Sequence, residues 1–182
     1  ISEIIKRYKD NSYYELPNIV YRQNGVVIVN SIFNQDTNLD LFPFPDVDMF
    51  KMEKYLSIPV EKKFYTMVSS RGCCYKCSFC SQIYTGNKVL FRSAENVVSE
   101  IELYFKRYNA KEIVFFDETF TLDKKRVLAI CDLIQKKNIK IKLNIITRVD
   151  AVDYDILAAL KRAGCYILHM GVESGSNATL KK

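Results

Sequence analysis

Residues 112–147, "EIVFFDETFTLDKKRVLAICDLIQKKNIKIKLNIIT", decide the fold because their hydrophobic period changes twice. "EIVFFD" (112–117) is a short β-rich run and reads as a strand. Asp123 then stands where a helix N-cap belongs, and Val127, Ile130, Cys131 and Ile134 follow on one face at helical spacing. "IKIKLNIIT" (139–147) returns to strand. Strand, helix and strand in this order predict a βαβ crossover, hence a parallel sheet with helices packed outside it.

The same alternation extends both ways. "FYTMVSS" (64–70) reads as an earlier strand. Ser93 can cap a helix striped by Val97, Val98, Ile101, Tyr104, Phe105 and Tyr108. Downstream, Ile156, Leu157, Leu160 and Ala163 stripe a third helix that Gly164 can end. "CYILHM" (165–170) is a fourth strand, followed by "GVESGS" (171–176). The fold class is therefore α/β. In such sheets chemistry collects at the C-terminal strand ends. Cysteines follow the first strand, Asp117-Glu118 the second, Arg148 the third and Gly171 to Ser176 the fourth. One site built from four strand ends is expected.

The first 60 residues differ. "NIVYRQNGVVIVN" (18–30) is two β-rich runs around Asn24-Gly25, a strong hairpin signal. "NLDLFPFPDVDMF" (38–50) carries Pro43 and Pro45, which favour extended backbone. Residues 1–60 thus read as a hairpin plus linker and 61–182 as the α/β domain. The opening "ISEIIKRYKD" lacks Met and a signal-peptide core, so a piece of a longer protein is expected.

Composition sets outer limits. The 182 residues are 48% hydrophobic and 26% charged, ordinary for a globular protein with a real core. No apolar run approaches the roughly eighteen residues a membrane span needs. The net charge of +6 comes from residues scattered as in Lys124-Lys125-Arg126 and Lys136-Lys137, which read as solvated faces and argue against nucleic acid. Six cysteines without a signal peptide point to a reducing, cytoplasmic setting and away from a disulfide framework.

Four of those six lie in "SSRGCCYKCSFC" (69–80). Cys73, Cys77 and Cys80 make C-x3-C-x2-C, with Cys74 adjoining the first and poorly placed to share its metal. A zinc site would want four ligands, usually in two separated pairs, although His169, the one histidine, is a conceivable fourth. Ferredoxin-type clusters use four cysteines at spacings this chain lacks. Three thiolates would leave one iron of a [4Fe–4S] cluster open to a further ligand. Cys74, Cys131 and Cys165 read as packing.

This motif, with Phe79 before its last cysteine, resembles that of the radical S-adenosylmethionine (SAM) superfamily. "FFDETFTLDKKRVLAICDLI" (115–134), "ITRVDAVDYDILAALKRAGC" (146–165) and "GVESGS" look like the branch associated with a cobalamin-binding domain, which includes oxidative cyclases and methyltransferases. "VYRQNGVVIVN" and "LDLFPFPDVDMF" are similar to that branch's connector. The resemblance spans about residues 17–182. It implies a partial (β/α) barrel, about four of six βα units, with the cobalamin domain absent upstream.

By that resemblance Cys73, Cys77 and Cys80 hold a [4Fe–4S] cluster whose open iron chelates SAM. Phe79 would lie near the adenine. Phe116, Asp117 and Glu118 correspond to the segment that fixes the methionine amino group, although "FDE" stands where the family commonly has Gly-Gly-Glu. Glu173 and Ser174 would take the ribose hydroxyls, which a carboxylate can accept in pairs. Arg148 would pair with the SAM carboxylate or form a structural ion pair. The family's reaction is reductive cleavage of SAM to a 5′-deoxyadenosyl radical, or cobalamin-dependent methyl transfer. An electron donor such as flavodoxin or ferredoxin is implied, the substrate is not legible, and poor turnover is expected of these 182 residues alone. An unpaired fourth strand would favour self-association. Two alternatives stand beside this reading: a tRNA methylthiotransferase-like radical SAM protein, and a zinc-binding structural module.

Overall fold

The computed structural model describes residues 2–31, 38–50, 63–80 and 88–180. It resolves into two compact units, Ile1–Thr37 and Asn38–Lys182. The boundary expected at residue 60 lies outside the described residues.

The first unit holds a short helix α1 (Ser2–Lys6) and the hairpin β1 (Val20–Gln23) and β2 (Val26–Val29). Asn24 and Gly25 both take positive φ, 50° and 83°, as a two-residue hairpin turn requires. The Asn30 side-chain amide donates to Tyr14 O and Leu16 O at 2.5 and 2.6 Å, tying the hairpin to the preceding turn.

The second unit carries the sheet. Its elements are β3 (Phe64–Met67), β4 (Ser70–Arg71), β5 (Leu90–Phe91), α2 (Ala94–Tyr108), β6 (Glu112–Phe115), α3 (Lys124–Lys136), β7 (Lys142–Arg148), α4 (Tyr154–Arg162), β8 (Cys165–Gly171) and α5 (Asn177–Leu180). Strands β3, β6, β7 and β8 form a parallel sheet in that order, as the alternation predicts. β4 and β5 make a separate antiparallel pair at the site's edge, so the run expected as one strand over 64–70 is broken after Met67. Among the described residues the sheet ends in β3 on one side and β8 on the other.

Helix starts follow the caps read from sequence. Ser93 Oγ accepts from Asn96 N at 3.1 Å and Asp123 Oδ1 from Arg126 N at 3.1 Å. Each satisfies a backbone donor that the first helical turn leaves free. Asp153 does the same for α4 through Ile156 N at 2.9 Å.

Period-two alternation sorts the sheet into two faces. Tyr65, Met67, Ile113, Phe115, Leu143 and Ile145 are buried with Val97, Ile101 and Tyr104 of α2, Val127, Ile130 and Ile134 of α3, and Ile156 and Leu160 of α4. The intervening residues Thr66, Val114, Phe116, Ile146 and Arg148 are half-buried or exposed and form the open face. On α4, Ala159 is buried where Leu157 was expected, and Leu157 is exposed.

Gly164 joins α4 to the sheet. Its φ is +100°, its N–H donates to Lys161 O at 3.2 Å, and its carbonyl accepts from Leu143 N at 3.0 Å. A Cβ here would sit 2.3 Å from the Ile141 carbonyl oxygen, a backbone atom. Gly164→Ala is therefore expected to lose more than about 1 kcal/mol of stability in urea unfolding. An unchanged midpoint would show that this turn has slack.

Candidate functional site

The four C-terminal strand ends carry two layers of polar side chains, one on each face of the sheet. On the helix side, Asp117 is nearly fully buried and accepts from Ser69 N at 2.7 Å, Ser69 Oγ at 2.5 Å and Ser70 Oγ at 2.6 Å. Arg126 lies behind it. Its Nη2 donates to Ser69 O at 2.8 Å and to Ser69 Oγ at 2.6 Å, and its Nε to Arg92 O at 2.9 Å. The guanidinium covers the Phe91 and Phe120 rings at 5.2 and 5.6 Å, and Nη1 is buried without a hydrogen-bond partner. Burial pushes Asp117 above the usual carboxylate range, opposed by the two serines and by Arg126. Burial likewise lowers Arg126, opposed first by the Asp117 charge. Thr121 and Thr147 close the layer through a hydroxyl–hydroxyl hydrogen bond.

This layer sets the entrance of the cysteine loop. Ser69 and Ser70 are clamped, and Gly72 follows at φ +94°. The Gly72 N–H donates to Glu118 Oε2 at 3.2 Å. Cys73 is buried, with Sγ 3.8 Å from Thr119 Oγ1. Cys80 N donates to Cys77 O at 3.0 Å, so one turn carries both of these cysteines. Cys74 is exposed beside them.

Phe116, on the open side of β6, is 56% exposed, and Phe79 of the cysteine loop is 69% exposed, both large apolar surfaces. Arg148, the last residue of β7, meets Asp150 through Nε and Nη2 at 2.8 Å each. Its Nη1 donates to Cys77 Sγ at 3.3 Å, and its guanidinium lies 3.8 Å from the Tyr75 ring centroid. The Asp150 carboxylate holds Arg148 above its ordinary pKa. After β8, Glu173 takes a left-handed φ of 60° and is exposed. A Cβ on Gly171 would fall 2.4 Å from Glu173 Oε1, so the missing side chain lets the carboxylate fold back to the strand end. Ser174 Oγ accepts from Ser176 N at 3.0 Å and starts the turn into α5.

The sequence-predicted residues thus separate by face. Phe116, Glu118 and Arg148 lie at the open strand ends with the cysteine loop, whereas the Asp117 carboxylate is turned to the helix side and saturated by serine donors. Arg126, placed among solvated basic residues on sequence, is instead 7% exposed. Its position four residues before Ile130, on the buried stripe of α3, was the available signal. Ser69, Tyr75 and Asp150 were also missed.

The other thiols contrast with the loop. Burial pushes Cys131 up to about 12 and Cys165 up to about 11, values that keep both protonated and inert. The loop supplies four thiols in eight residues, three of them at C-x3-C-x2-C spacing and one of these contacted by a guanidinium, a donor set suited to an iron–sulfur cluster. Among the described residues no three His, Cys, Asp or Glu side chains converge at metal-ligating spacing. Cluster binding would itself have to draw the sulfurs together, as metal sites coupled to local folding do.

A parallel α/β sheet with a C-x3-C-x2-C loop after its first strand defines a narrow class. The chain matches the Radical SAM superfamily over residues 67–182 and belongs to it. It is 33% identical over 162 residues to an uncharacterised methyltransferase of Pyrococcus horikoshii, covering 88% of this chain and 35% of that protein. It is 30% identical over 138 residues to the anaerobic magnesium-protoporphyrin IX monomethyl ester cyclase of Rubrivivax gelatinosus, covering 75% and 25%. The cobalamin-dependent SAM radical enzyme OxsB superposes with a TM-score of 0.78 at 25% identity, covering 99% of this chain and 27% of that one. The chain therefore spans about a third or less of the length of these relatives. No described helix is long and apolar enough to cross a membrane.

Proposed function

We propose that this chain is the part of a cobalamin-associated radical SAM enzyme, a methyltransferase or an oxidative cyclase, that holds a [4Fe–4S] cluster and SAM. The observation that carries the reading is the loop of Cys73, Cys77 and Cys80 at the first strand end, entered from a clamped Ser69-Ser70 and contacted by Arg148. Residues 1–60 would be the connector to a cobalamin-binding domain, in line with the description of OxsB as cobalamin-dependent.

When bound, the cluster would supply the single electron that cleaves SAM, delivered by a donor such as flavodoxin or ferredoxin. The chain's own residues do the rest. Cys73, Cys77 and Cys80 would ligate three irons and leave the fourth for the amino and carboxylate groups of SAM. Glu118, fixed through one oxygen by the Gly72 N–H, keeps its second oxygen without a protein donor among the described residues and can accept from the SAM ammonium. Glu173 and Ser174 can take the ribose hydroxyls, and Phe79 and Phe116 offer flat apolar faces to the adenine and exclude water.

The test is SAM binding to the reconstituted, reduced chain, followed by electron paramagnetic resonance. Added SAM should change the cluster signal, and Glu118→Ala should weaken that response while leaving the iron content intact. A signal indifferent to SAM at saturating concentration would sink the reading.

A further inference from the structure

We propose that Arg148 is a positioning residue for the cysteine loop, and that its hydrogen bond to Cys77 Sγ raises the reduction potential of the cluster held there. The inference rests on the cluster-binding reading above and assigns Arg148 a different task from gripping the SAM carboxylate.

Every polar edge of the guanidinium is committed. The Nε/Nη2 edge, the one shaped to clamp a carboxylate in two places, is already taken by Asp150 at 2.8 Å on both atoms. Nη1 points the other way and reaches Cys77 Sγ at 3.3 Å. The flat face lies 3.8 Å from the centre of the Tyr75 ring, and Tyr75 sits between Cys73 and Cys77 in the loop. Asp150 thus fixes the planar fork, the fork fixes Tyr75 by stacking, and both fix where Cys77 stands. A lysine has neither the plane nor the second donor edge.

The consequence for a bound cluster is electrostatic. Reduction adds a negative charge, and hydrogen bonds to the ligand sulfurs favour the reduced form and raise the potential. Arg148 delivers both a charge-assisted N–H and a full positive charge to one ligand sulfur, and Asp150 keeps it there.

The experiment reconstitutes wild type, Arg148→Gln, Arg148→Lys and Asp150→Ala anaerobically. It compares iron content, circular dichroism and the midpoint potential from redox titration followed by electron paramagnetic resonance. Arg148→Gln with a full cluster should titrate at a more negative potential than wild type. Arg148→Lys should fall between, and Asp150→Ala should shift the same way by less. A wild-type midpoint in fully loaded Arg148→Gln overturns the proposal, as does a loss of SAM affinity at unchanged midpoint, which would return Arg148 to the carboxylate. Loss of iron from Arg148→Gln with native circular dichroism supports the positioning role. If that variant misfolds, Asp150→Ala decides, and an unchanged midpoint there overturns the proposal. Failure of the wild type to take up iron would instead remove the proposed function, this inference with it.

Discussion

Asp117→Ala is expected to lose about 2–4 kcal/mol of folding stability, a large share of the 5–15 kcal/mol typical of a domain. The carboxylate receives three hydrogen bonds from Ser69 and Ser70 in a site closed to solvent. Alanine would strand those donors and remove the first of the carboxylate charges that offset the buried Arg126 cation, leaving Asp123 and Asp40. Arg126 has little in reserve, because its Nη1 already lacks a hydrogen-bond partner. Asp117→Asn should cost less, since the amide keeps the shape and one acceptor. Urea unfolding measures both, and a loss below about 1 kcal/mol for the alanine variant would mean the carboxylate is not the brace described. The pH dependence has a definite sign. Burial raises the Asp117 pKa, so the stability it contributes is complete below the ordinary carboxylate value of 3.8 and declines as pH rises through the higher folded value. Asp117→Asn should remove that part of the slope.

Replacing Cys73, Cys77 or Cys80 is expected to abolish stable cluster binding, the largest functional effect of any single change here. Cys73→Ala, Cys77→Ala and Cys80→Ala each leave only two of the three assigned ligands, and Cys74 adjoins the first of them where it is poorly placed to take over. Cys131→Ala and Cys74→Ala should retain the cluster, because Cys131 is locked in the core by burial and Cys74 projects to solvent beside the loop. Iron content and visible absorbance after reconstitution separate the two groups. Equal retention by Cys77→Ala and Cys131→Ala would contradict the ligand assignment.

The architecture was legible in the sequence wherever a period was long enough to read. The three helices, their Ser93 and Asp123 caps and the four parallel strands follow from apolar spacing, and the strand ends pointed to one site. Strand parity carried the rest. Ile113, Phe115 and Asp117 share the helix-facing side of their strand, as Tyr65, Met67 and Ser69 do of theirs, so Asp117 meets Ser69 under the site, and Phe116 and Glu118 face out. The adjacent triplet "FDE" reads as one functional unit only if that alternation is ignored. Arg126 was hidden differently. Two lysines before it make a basic run, and such runs are usually solvated, yet Lys124 pairs with Asp153 and Asp155 at the surface while Arg126 turns inward. The Arg148–Cys77 contact joins residues 71 positions apart, and no local pattern announces it.

The central claim is that the chain holds a [4Fe–4S] cluster on three cysteines. Iron and acid-labile sulfide, counted after anaerobic reconstitution and desalting, test it most directly. The account predicts about four of each per wild-type chain, as that cluster type requires. Stoichiometric zinc with no retained iron would contradict it.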